Sequence, residues 1–363
     1  MKDHISCGQA TETFYQKVLE PCFQQADQKT LMGLKKAMEA INVESFVNYY
    51  VPSPDVETFC AACALVGTAW LTDDVLDEHS PNSDAVEILA TAWSTIPRCI
   101  DEIFCTEQNI QEVDVDLLTD MAVTKLRSKP GIPKIDGLVR LYAYACAFAK
   151  VQSVKNHNDP AYRWFDQTSR DWIQHNVENI GGNRDSDDWD TSLTLQDALA
   201  SRSMNGGYRF FMAWILASVN LGGLDPNIYS GTTLDEVCEY AGLHTCLLND
   251  ILSYDRELSE KGAASESIVQ FFRQRQACRK NPDDDHRIQA ALDATVAESN
   301  RLMDKLAVLV SRVQSNESDK QIMLDSYNKV FQLAIQGVAG NIQWCLGADR
   351  YARRDYVRDL AKL

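Results

Sequence analysis

The chain contains 363 residues, of which 35 are basic and 52 acidic, so its formal net charge at neutral pH is -17. A chain of this length with 45% hydrophobic residues can bury a sizeable core, whereas its negative charge would repel a phosphate backbone, so we expect no nucleic-acid partner. The start of the chain has no apolar secretion signal, and its longest nearly apolar run, Phe59 to Leu71, is too short to cross a bilayer. We therefore expect a cytoplasmic protein without a membrane span.

The sequence pattern predicts helices throughout. Apolar residues recur at intervals of three and four in nearly every long segment, and alternating runs of Val, Ile and Thr are almost absent. Joints marked by Pro and Gly leave roughly ten to thirteen helices of the usual length, and Pro97 falls inside a helical segment, where it predicts a kink. Since no linker, repeat or low-complexity tract divides the chain, residues 1–363 are predicted to form one all-α domain, a helical bundle around a central space.

An acidic cluster follows the first strongly apolar helical segment. The stretch WLTDDVLDEHS places Asp73, Asp74 and Asp77 directly after an apolar run. At about 100° per residue, Asp73 and Asp77 lie about 40° apart on one helix face, and Asp74 is displaced from Asp73 by about 100°. Two carboxylates on one face can share a cation, which would offset the desolvation of charges at the end of a buried helix. The alternative is a solvated helix terminus.

A second polar face lies in the segment NDILSYDRE, residues 249–257. Asn249, Ser253 and Glu257 follow one another at intervals of four, so on a helix they span about 80° of the surface and about 12 Å of its length. Amide, hydroxyl and carboxylate oxygens suit a hard cation such as Mg²⁺, and the lack of His and thiolate ligands disfavours zinc. Such a spacing also arises by chance, but two oxygen-rich faces that each follow an apolar helix indicate a polyphosphate held by metal ions at the mouth of an apolar cavity.

The two segments resemble the metal motifs of the class I terpene synthases. That family has an aspartate-rich DDxxD motif and, later in the chain, a motif (N/D)DxxSxxx(E/D); DDVLD at residues 73–77 and NDILSYDRE at residues 249–257 match them in order and spacing. The resemblance is to the microbial-type members with one α-domain. It implies a single-domain helical bundle of the class I terpenoid synthase type around a central apolar cavity, in which three Mg²⁺ ions ionise a prenyl diphosphate.

The resemblance also assigns metal ligands. In the first motif, Asp73 and Asp77 would bind two of the ions, and Asp74 would support them from a second layer. The third ion would be held by Asn249, Ser253 and Glu257.

Other residues match the family's diphosphate contacts. Arg202 occupies the place of its diphosphate-sensing arginine, and Asn205 and Gly206 occupy the linker and effector positions that follow. The family usually has Asp at the linker position, so Asn205 is a departure. Gly206 and Gly207 interrupt a helical pattern, which would free a backbone carbonyl beside the cavity unless the two glycines form a simple turn.

The C-terminal segment, about residues 341–363, resembles the family's closing lid. Trp344 matches an aromatic residue of the pocket wall, and Arg350 and Tyr351 match a pair of diphosphate donors. Arg256 stands where the family has another basic contact. The alternatives are surface ion pairs for the arginines and a solvated tail for the lid. Three more aromatic residues are candidates for stabilising a carbocation, although ordinary core packing is the commoner role for each of them. They are Trp70, Trp93 and Phe210.

Together the motifs predict a Mg²⁺-dependent terpene cyclase. Its substrate would be a linear prenyl diphosphate, with farnesyl diphosphate favoured and geranylgeranyl diphosphate next, and it would release diphosphate and a sesqui- or diterpene. One rival is a chain-elongating isoprenyl diphosphate synthase, which normally carries a second aspartate-rich motif where this chain has NDILSYDRE. The other is a non-catalytic helical scaffold whose acidic faces only solubilise it. We expect a monomer or homodimer.

Overall fold

The structure is a computed structural model that describes residues 7–52, 54–78, 80, 82–106, 114–126, 132–179, 192–261, 267–276, 284–315 and 321–347. These residues form α-helices, one π-helical segment and one short 3-10 helix, and no strand lies among them. The α-helices, in chain order, are α1 Cys7–Phe14, α2 Glu20–Cys22, α3 Gln28–Ile41, α4 Val43–Tyr50, α5 Val56–Glu78, α6 Asp84–Thr106, α7 Val115–Leu126, α8 Pro133–Lys155, α9 Asp159–Asn179, α10 Leu195–Asn205, α11 Tyr208–Ser218, α12 Thr232–Lys261, α13 Ile268–Gln276, α14 Asp284–Ser315 and α15 Gln321–Gly347.

The described residues contain 14 helices, not counting the short 3-10 helix, when α1, the π-helical segment Tyr15–Leu19 and α2 are taken as one continuous run. This is slightly more than the sequence predicts. One of the joints carries neither Pro nor Gly, because α3 and α4 are separated by Asn42 alone, whose φ of 58° lies in the left-handed region. Asn tolerates this conformation better than most residues do, so it can end a helix where neither Pro nor Gly is present.

The chain divides into two compact units. Unit 1 consists of residues 1–177 and 210–229, and unit 2 of residues 178–209 and 230–363. One domain over residues 1–363 stays a prediction.

Helix α5 is a buried helix of unit 1 and ends in the first acidic motif. Residues Phe59 to Val66 are all buried, and the helix packs against α8, α4 and α1. The stretch Val56–Leu76 is long and apolar enough to cross a membrane, which corrects the shorter run counted from the sequence. Of its most apolar window, 78% is buried inside the structure, as in the core helix of a soluble protein. Burial, rather than length, is the argument against a membrane span.

Helix α6 continues through Pro97. A proline has no N–H group, so the carbonyl of the residue four positions earlier loses its helical partner. In α6 that residue is Trp93, and its carbonyl oxygen lies 3.5 Å from the hydroxyl of Tyr142 on α8. A tyrosine on a neighbouring helix therefore satisfies the carbonyl that the proline leaves open, which allows the helix to continue.

Unit 2 is organised around α12, which packs against α14, α15 and α10. Helix α10 begins at a capping box, in which Thr194 and Asp197 bond to each other's backbone N–H groups. Apolar residues of α10, α12, α13 and α14 form one buried cluster. Its members are Ala198, Leu199, Leu243, Leu247, Ile268, Phe271 and Leu302. This cluster packs α12, which carries the polar residues of the second motif, against α10, α13 and α14.

Candidate active site

The second motif lies on α12 in unit 2. The helix is continuous from Thr232 to Lys261, so Asn249, Ser253 and Glu257 share one face, as the spacing predicts. Asn249 is half-buried, Ser253 is fully buried and the side chain of Glu257 is 23% exposed. One carboxylate and two neutral oxygen ligands thus lie along a face that is buried in its middle and half-buried at both ends. Their role as metal ligands stays a prediction.

The donor chemistry of this face fits a hard divalent cation. Asn249, Ser253 and Glu257 all present oxygen atoms, and Mg²⁺ is bound by few protein ligands because it keeps several waters. Over the part of the chain that the structure describes, no three His, Cys, Asp or Glu side chains converge on one point. A site on α12 would therefore draw on amide and hydroxyl oxygens as well as on a carboxylate, which suits Mg²⁺ better than zinc.

Arg202 lies beside this face, bonded to Asp250 and Asn205. Its Nε and Nη2 atoms donate hydrogen bonds to Oδ1 of Asp250 at 3.0 and 2.8 Å, and its Nη1 donates to Oδ1 of Asn205 at 2.6 Å. The Arg202 side chain is 13% exposed. Asn205 accepts a bond through its amide oxygen, as an Asp at the linker position could through its carboxylate. The departure from the family pattern therefore removes a negative charge and keeps the contact.

Asp250 was not singled out by the sequence, although it lies inside the second motif. Its side chain is 3% exposed, and its Oδ2 accepts a hydrogen bond from the backbone N–H of Ile268, 2.9 Å away, at the first turn of α13. Burial raises the pKa of Asp250 to about 6, opposed by the charge of Arg202 and by the hydrogen bonds from Arg202 and Ile268. The guanidinium of Arg202 and the hydrogen bonds thus stabilise the ionised form against the effect of burial. The sequence signal was its place in the motif, in which an Asp follows the first ligand position.

A helix break lies between α10 and α11, at Gly206 and Gly207. Gly206 ends α10 with its N–H bonded to the carbonyl of Arg202, 3.0 Å away, and Gly207 has a φ of 69°, a value that glycine adopts without strain. This agrees with the predicted interruption. A Cβ atom on Gly206 would overlap Sγ of Cys246 on α12, so the backbone approaches that helix closely.

The break packs on the same side of α12 as the second motif. Gly242 of α12 faces Tyr208, since a Cβ on Gly242 would lie 2.9 Å from Cβ of Tyr208. At about 100° per residue, Gly242 and Cys246 lie within about 60° of Asn249 around the helix. The segment that follows Arg202 therefore covers the N-terminal part of this face of α12. The C-terminal part of the same face carries the polar residues of the second motif.

Arg256 is close to one of the candidate ligands. Its Nη2 atom lies 3.8 Å from Oε1 of Glu257, and both side chains are 23% exposed. The structure thus shows the arginine in an ion pair on α12. A contact with diphosphate stays a prediction.

The first motif lies at the end of α5 in unit 1. Asp73 is half-buried and Asp74 is exposed, as expected for neighbours about 100° apart on a helix. Asp77 belongs to α5, and its side chain lies outside the described residues. Thr72, just before the motif, is fully buried and accepts a hydrogen bond from Nε1 of Trp93 at 3.2 Å. This bond ties the end of α5 to α6.

Trp93 and Phe210 belong to an aromatic cluster inside unit 1. The Trp93 ring is stacked on Tyr142 with centroids 4.0 Å apart, and it lies 4.5 Å from Trp172 and 5.4 Å from Phe210. Trp93 is fully buried and Phe210 is 5% exposed. Core packing, the alternative to a cavity wall, accounts for the contacts of both rings.

The other two aromatic candidates lie in different surroundings. Trp70 is half-buried and makes an edge contact with Phe46, with ring centroids 5.0 Å apart. Trp344 on α15 is 2% exposed, one turn after Asn341, whose Nδ2 donates a hydrogen bond to the carbonyl of Thr245 on α12 at 3.4 Å. Trp344 thus lies on a helix that is bonded to the motif helix.

Part of the predicted site lies beyond the residues that the structure describes. Helix α15 ends at Gly347, and both Arg350 and Tyr351 fall outside the described residues, as does most of the predicted lid at 341–363. Their roles stay predictions.

The comparisons with known proteins agree with these observations. Residues 64–305, more than half of the chain, match the family described as terpene synthase family 2, C-terminal metal binding. No curated protein sequence matches the chain significantly.

Solved structures show the same fold. A structure of a-eudesmol synthase aligns with a TM-score of 0.60 at 13% identity, covering 94% of this chain and 94% of that chain. Germacradien-4-ol synthase from Streptomyces citricolor aligns with a TM-score of 0.58 at 11% identity, covering 93% of each chain. A point variant of cucumene synthase aligns with a TM-score of 0.57 at 11% identity, covering 91% of this chain and 95% of that chain. These likenesses confirm the predicted all-α fold class. The chain belongs to the terpene synthase family, whose members are lyases that act on prenyl diphosphates.

Proposed function

We propose that the protein is a Mg²⁺-dependent terpene cyclase. It ionises a linear prenyl diphosphate, cyclises the resulting carbocation and releases diphosphate. The metal-binding description of the family and the oxygen donors of α12 support the use of a divalent cation. The names of the similar structures favour a sesquiterpene product and hence farnesyl diphosphate as substrate, with geranylgeranyl diphosphate next.

The observation that carries the proposal is the position of Arg202. Asp250, a buried carboxylate directly after Asn249 in the second motif, accepts two hydrogen bonds from its guanidinium. A guanidinium fixed beside oxygen ligands for a divalent cation can donate hydrogen bonds to the same diphosphate whose oxygens the cation would bind. This juxtaposition of donor and ligands is what ionisation of a diphosphate ester requires.

Each of the other site residues then has a defined task. Asp73 and Asp77 would hold two Mg²⁺ ions, with Asp74 in support, and the α12 face would hold the third. When bound, the ions withdraw negative charge from the departing diphosphate. Arg256, Arg350 and Tyr351 would donate hydrogen bonds to it. Trp344, together with the closing C-terminal segment, would exclude water from the carbocation. The helix break at Gly206 would present backbone dipoles on the same side of α12.

We further propose that the enzyme acts in the cytoplasm on a small-molecule substrate, as a monomer or homodimer and without a nucleic-acid partner. The charge of -17 disfavours nucleic acid, and the burial of α5 disfavours a membrane span.

The test is an incubation of the purified protein with farnesyl or geranylgeranyl diphosphate, with and without Mg²⁺, followed by mass spectrometry. We expect a terpene hydrocarbon or alcohol and free diphosphate only when Mg²⁺ is present. A longer prenyl diphosphate would instead identify a chain-elongating enzyme. If calorimetry detected no Mg²⁺-dependent binding of diphosphate, the scaffold interpretation would replace the proposal.

A further inference from the structure

Asp250 has a position on α12 that differs from that of its neighbours in the motif. With Asn249 taken as the origin and about 100° per residue, Ser253 lies at about 40°, Glu257 at about 80° and Asp250 at about 100°. Asp250 therefore stands at the border of the polar face. It is 3% exposed, whereas Asn249 is half-buried and the Glu257 side chain is 23% exposed. A charged side chain this buried requires compensation from its surroundings.

Both carboxylate oxygens of Asp250 receive hydrogen bonds from the protein itself. Oδ1 accepts two bonds from the guanidinium of Arg202, at 3.0 and 2.8 Å, and Oδ2 accepts one from the N–H of Ile268 at 2.9 Å. Arg202 belongs to α10 and Ile268 to α13, so this carboxylate links three helices. The same three helices share the apolar cluster of unit 2, which gives the link a rigid support.

Asp250 also supplies the negative charge that Asn205 does not. Of these two partners of Arg202, Asn205 is a neutral amide and Asp250 is an anion. Charge-assisted hydrogen bonds are about twice as strong as neutral ones. The orientation of the arginine thus depends more on the motif helix than on the residue three positions after it.

We propose that Asp250 is a positioning residue that fixes the Arg202 guanidinium beside the Asn249–Ser253–Glu257 face, and that it is not a metal ligand. The inference rests on the proposed function, in which Arg202 donates to the diphosphate. It assigns different tasks to adjacent residues: Asn249 binds the ion, and Asp250 orients the residue that binds its counter-anion.

A double-mutant cycle tests the assignment. The variants are D250N, R202Q and the double variant, and the readout is the binding of inorganic diphosphate in saturating Mg²⁺ by calorimetry, with kcat and KM for farnesyl diphosphate beside it. We expect each single variant to weaken diphosphate binding at least tenfold. The double variant should bind within about threefold of the weaker single variant, because both substitutions break the same link.

Two control variants show whether the coupling is specific to the link between Arg202 and Asp250. N249A removes a proposed metal ligand, so its effect should multiply with that of D250N. D235N opens the exposed Arg209–Asp235 ion pair in the same unit and should change diphosphate binding less than twofold. Thermal melts of every variant identify any that fail to fold.

If D250N does not fold, R202K provides a second test of the link between Arg202 and Asp250. Lysine keeps the positive charge but cannot reproduce the planar fork, so we expect R202K to lose about as much affinity as R202Q. Wild-type affinity in R202K, or multiplicative effects of D250N and R202Q in an active enzyme, would overturn the positioning role alone. A wild-type protein that neither binds diphosphate nor forms a product would overturn the proposed function, and this role with it.

Discussion

Tyr162 on α9 donates a hydrogen bond from its hydroxyl to the carbonyl oxygen of Pro97 in α6, 2.9 Å away and fully buried. Together with Tyr142, which reaches the carbonyl of Trp93, it places a tyrosine donor at each end of the helical turn that the proline disturbs. The aromatic cluster around Trp93 is built on this turn.

We therefore expect Y162F to destabilise the protein by about 0.5–1.5 kcal/mol, because it removes one buried hydrogen bond from a carbonyl that keeps its place in the continuous helix α6. Y142F should have an effect of similar size: its bond to Trp93 is longer, at 3.5 Å, but it replaces the helical donor that Pro97 lacks. Urea denaturation followed by circular dichroism measures both. Equal stability of Y162F and wild type would show that the bond contributes nothing.

The close approach of Gly206 to α12 predicts a second outcome. In G206A the added methyl group would overlap Sγ of Cys246, so we expect a loss of about 1–3 kcal/mol and a lower rate of turnover. C246A in the same protein makes room for the methyl group and should restore part of both.

Gly33 provides the matched control for this pair. It lies in the exposed middle of α3, and a Cβ there would meet nothing within 4 Å. G33A should therefore stabilise the protein by about 0.5–1 kcal/mol through helix propensity. A G206A variant that behaves like G33A would rule out the close contact.

His244 on α12 predicts a dependence of stability on pH. Its Nδ1 is 2.7 Å from Oγ of Ser299 on α14, and its Nε2 is buried without a hydrogen-bond partner among the residues that the structure describes. Burial lowers the pKa of His244 below its ordinary value of 6.5. Below pH 6.5 the unfolded chain therefore binds more protons at this residue than the folded chain does, and stability falls as the pH drops.

The variant H244Q, which does not titrate, should lose less stability than wild type between pH 7.5 and pH 5.5. Thermal melts across this range measure the difference between the two proteins, so other groups that titrate in both cancel. Parallel curves for wild type and H244Q would contradict the prediction.

The metal role of the α12 face is tested at Glu257, its one carboxylate. E257Q keeps the shape of the side chain and removes its charge. We expect the Mg²⁺ concentration for half-maximal rate to rise by at least about 10- to 100-fold, because replacing a residue that only supports a metal ligand already lowers metal affinity by this factor. Initial rates over a Mg²⁺ series measure it. D255N changes an exposed acid two residues earlier on the same helix and should leave the Mg²⁺ dependence as it is.

The features that sequence reasoning found are local ones. The stripe of Asn249, Ser253 and Glu257 follows from the helical repeat of a single segment, and the break at Gly206 and Gly207 follows from the conformational preference of glycine. The same reasoning separated Asp73 from Asp74, which differ in exposure. Periodicity could not separate a core tryptophan from one in a cavity wall, because both face inwards on an apolar side of a helix.

What the sequence determined by itself is the helical class, the composition of the two motifs and the order in which they occur, because backbone geometry repeats over a few residues whatever lies around them. Only the tertiary structure decided that Asp250 holds Arg202, and that Tyr162 bonds to Pro97. Those partners come from helices distant in the chain, and their meeting depends on how buried side chains pack between the helices. A hydrogen bond of this kind has no local signature in the sequence.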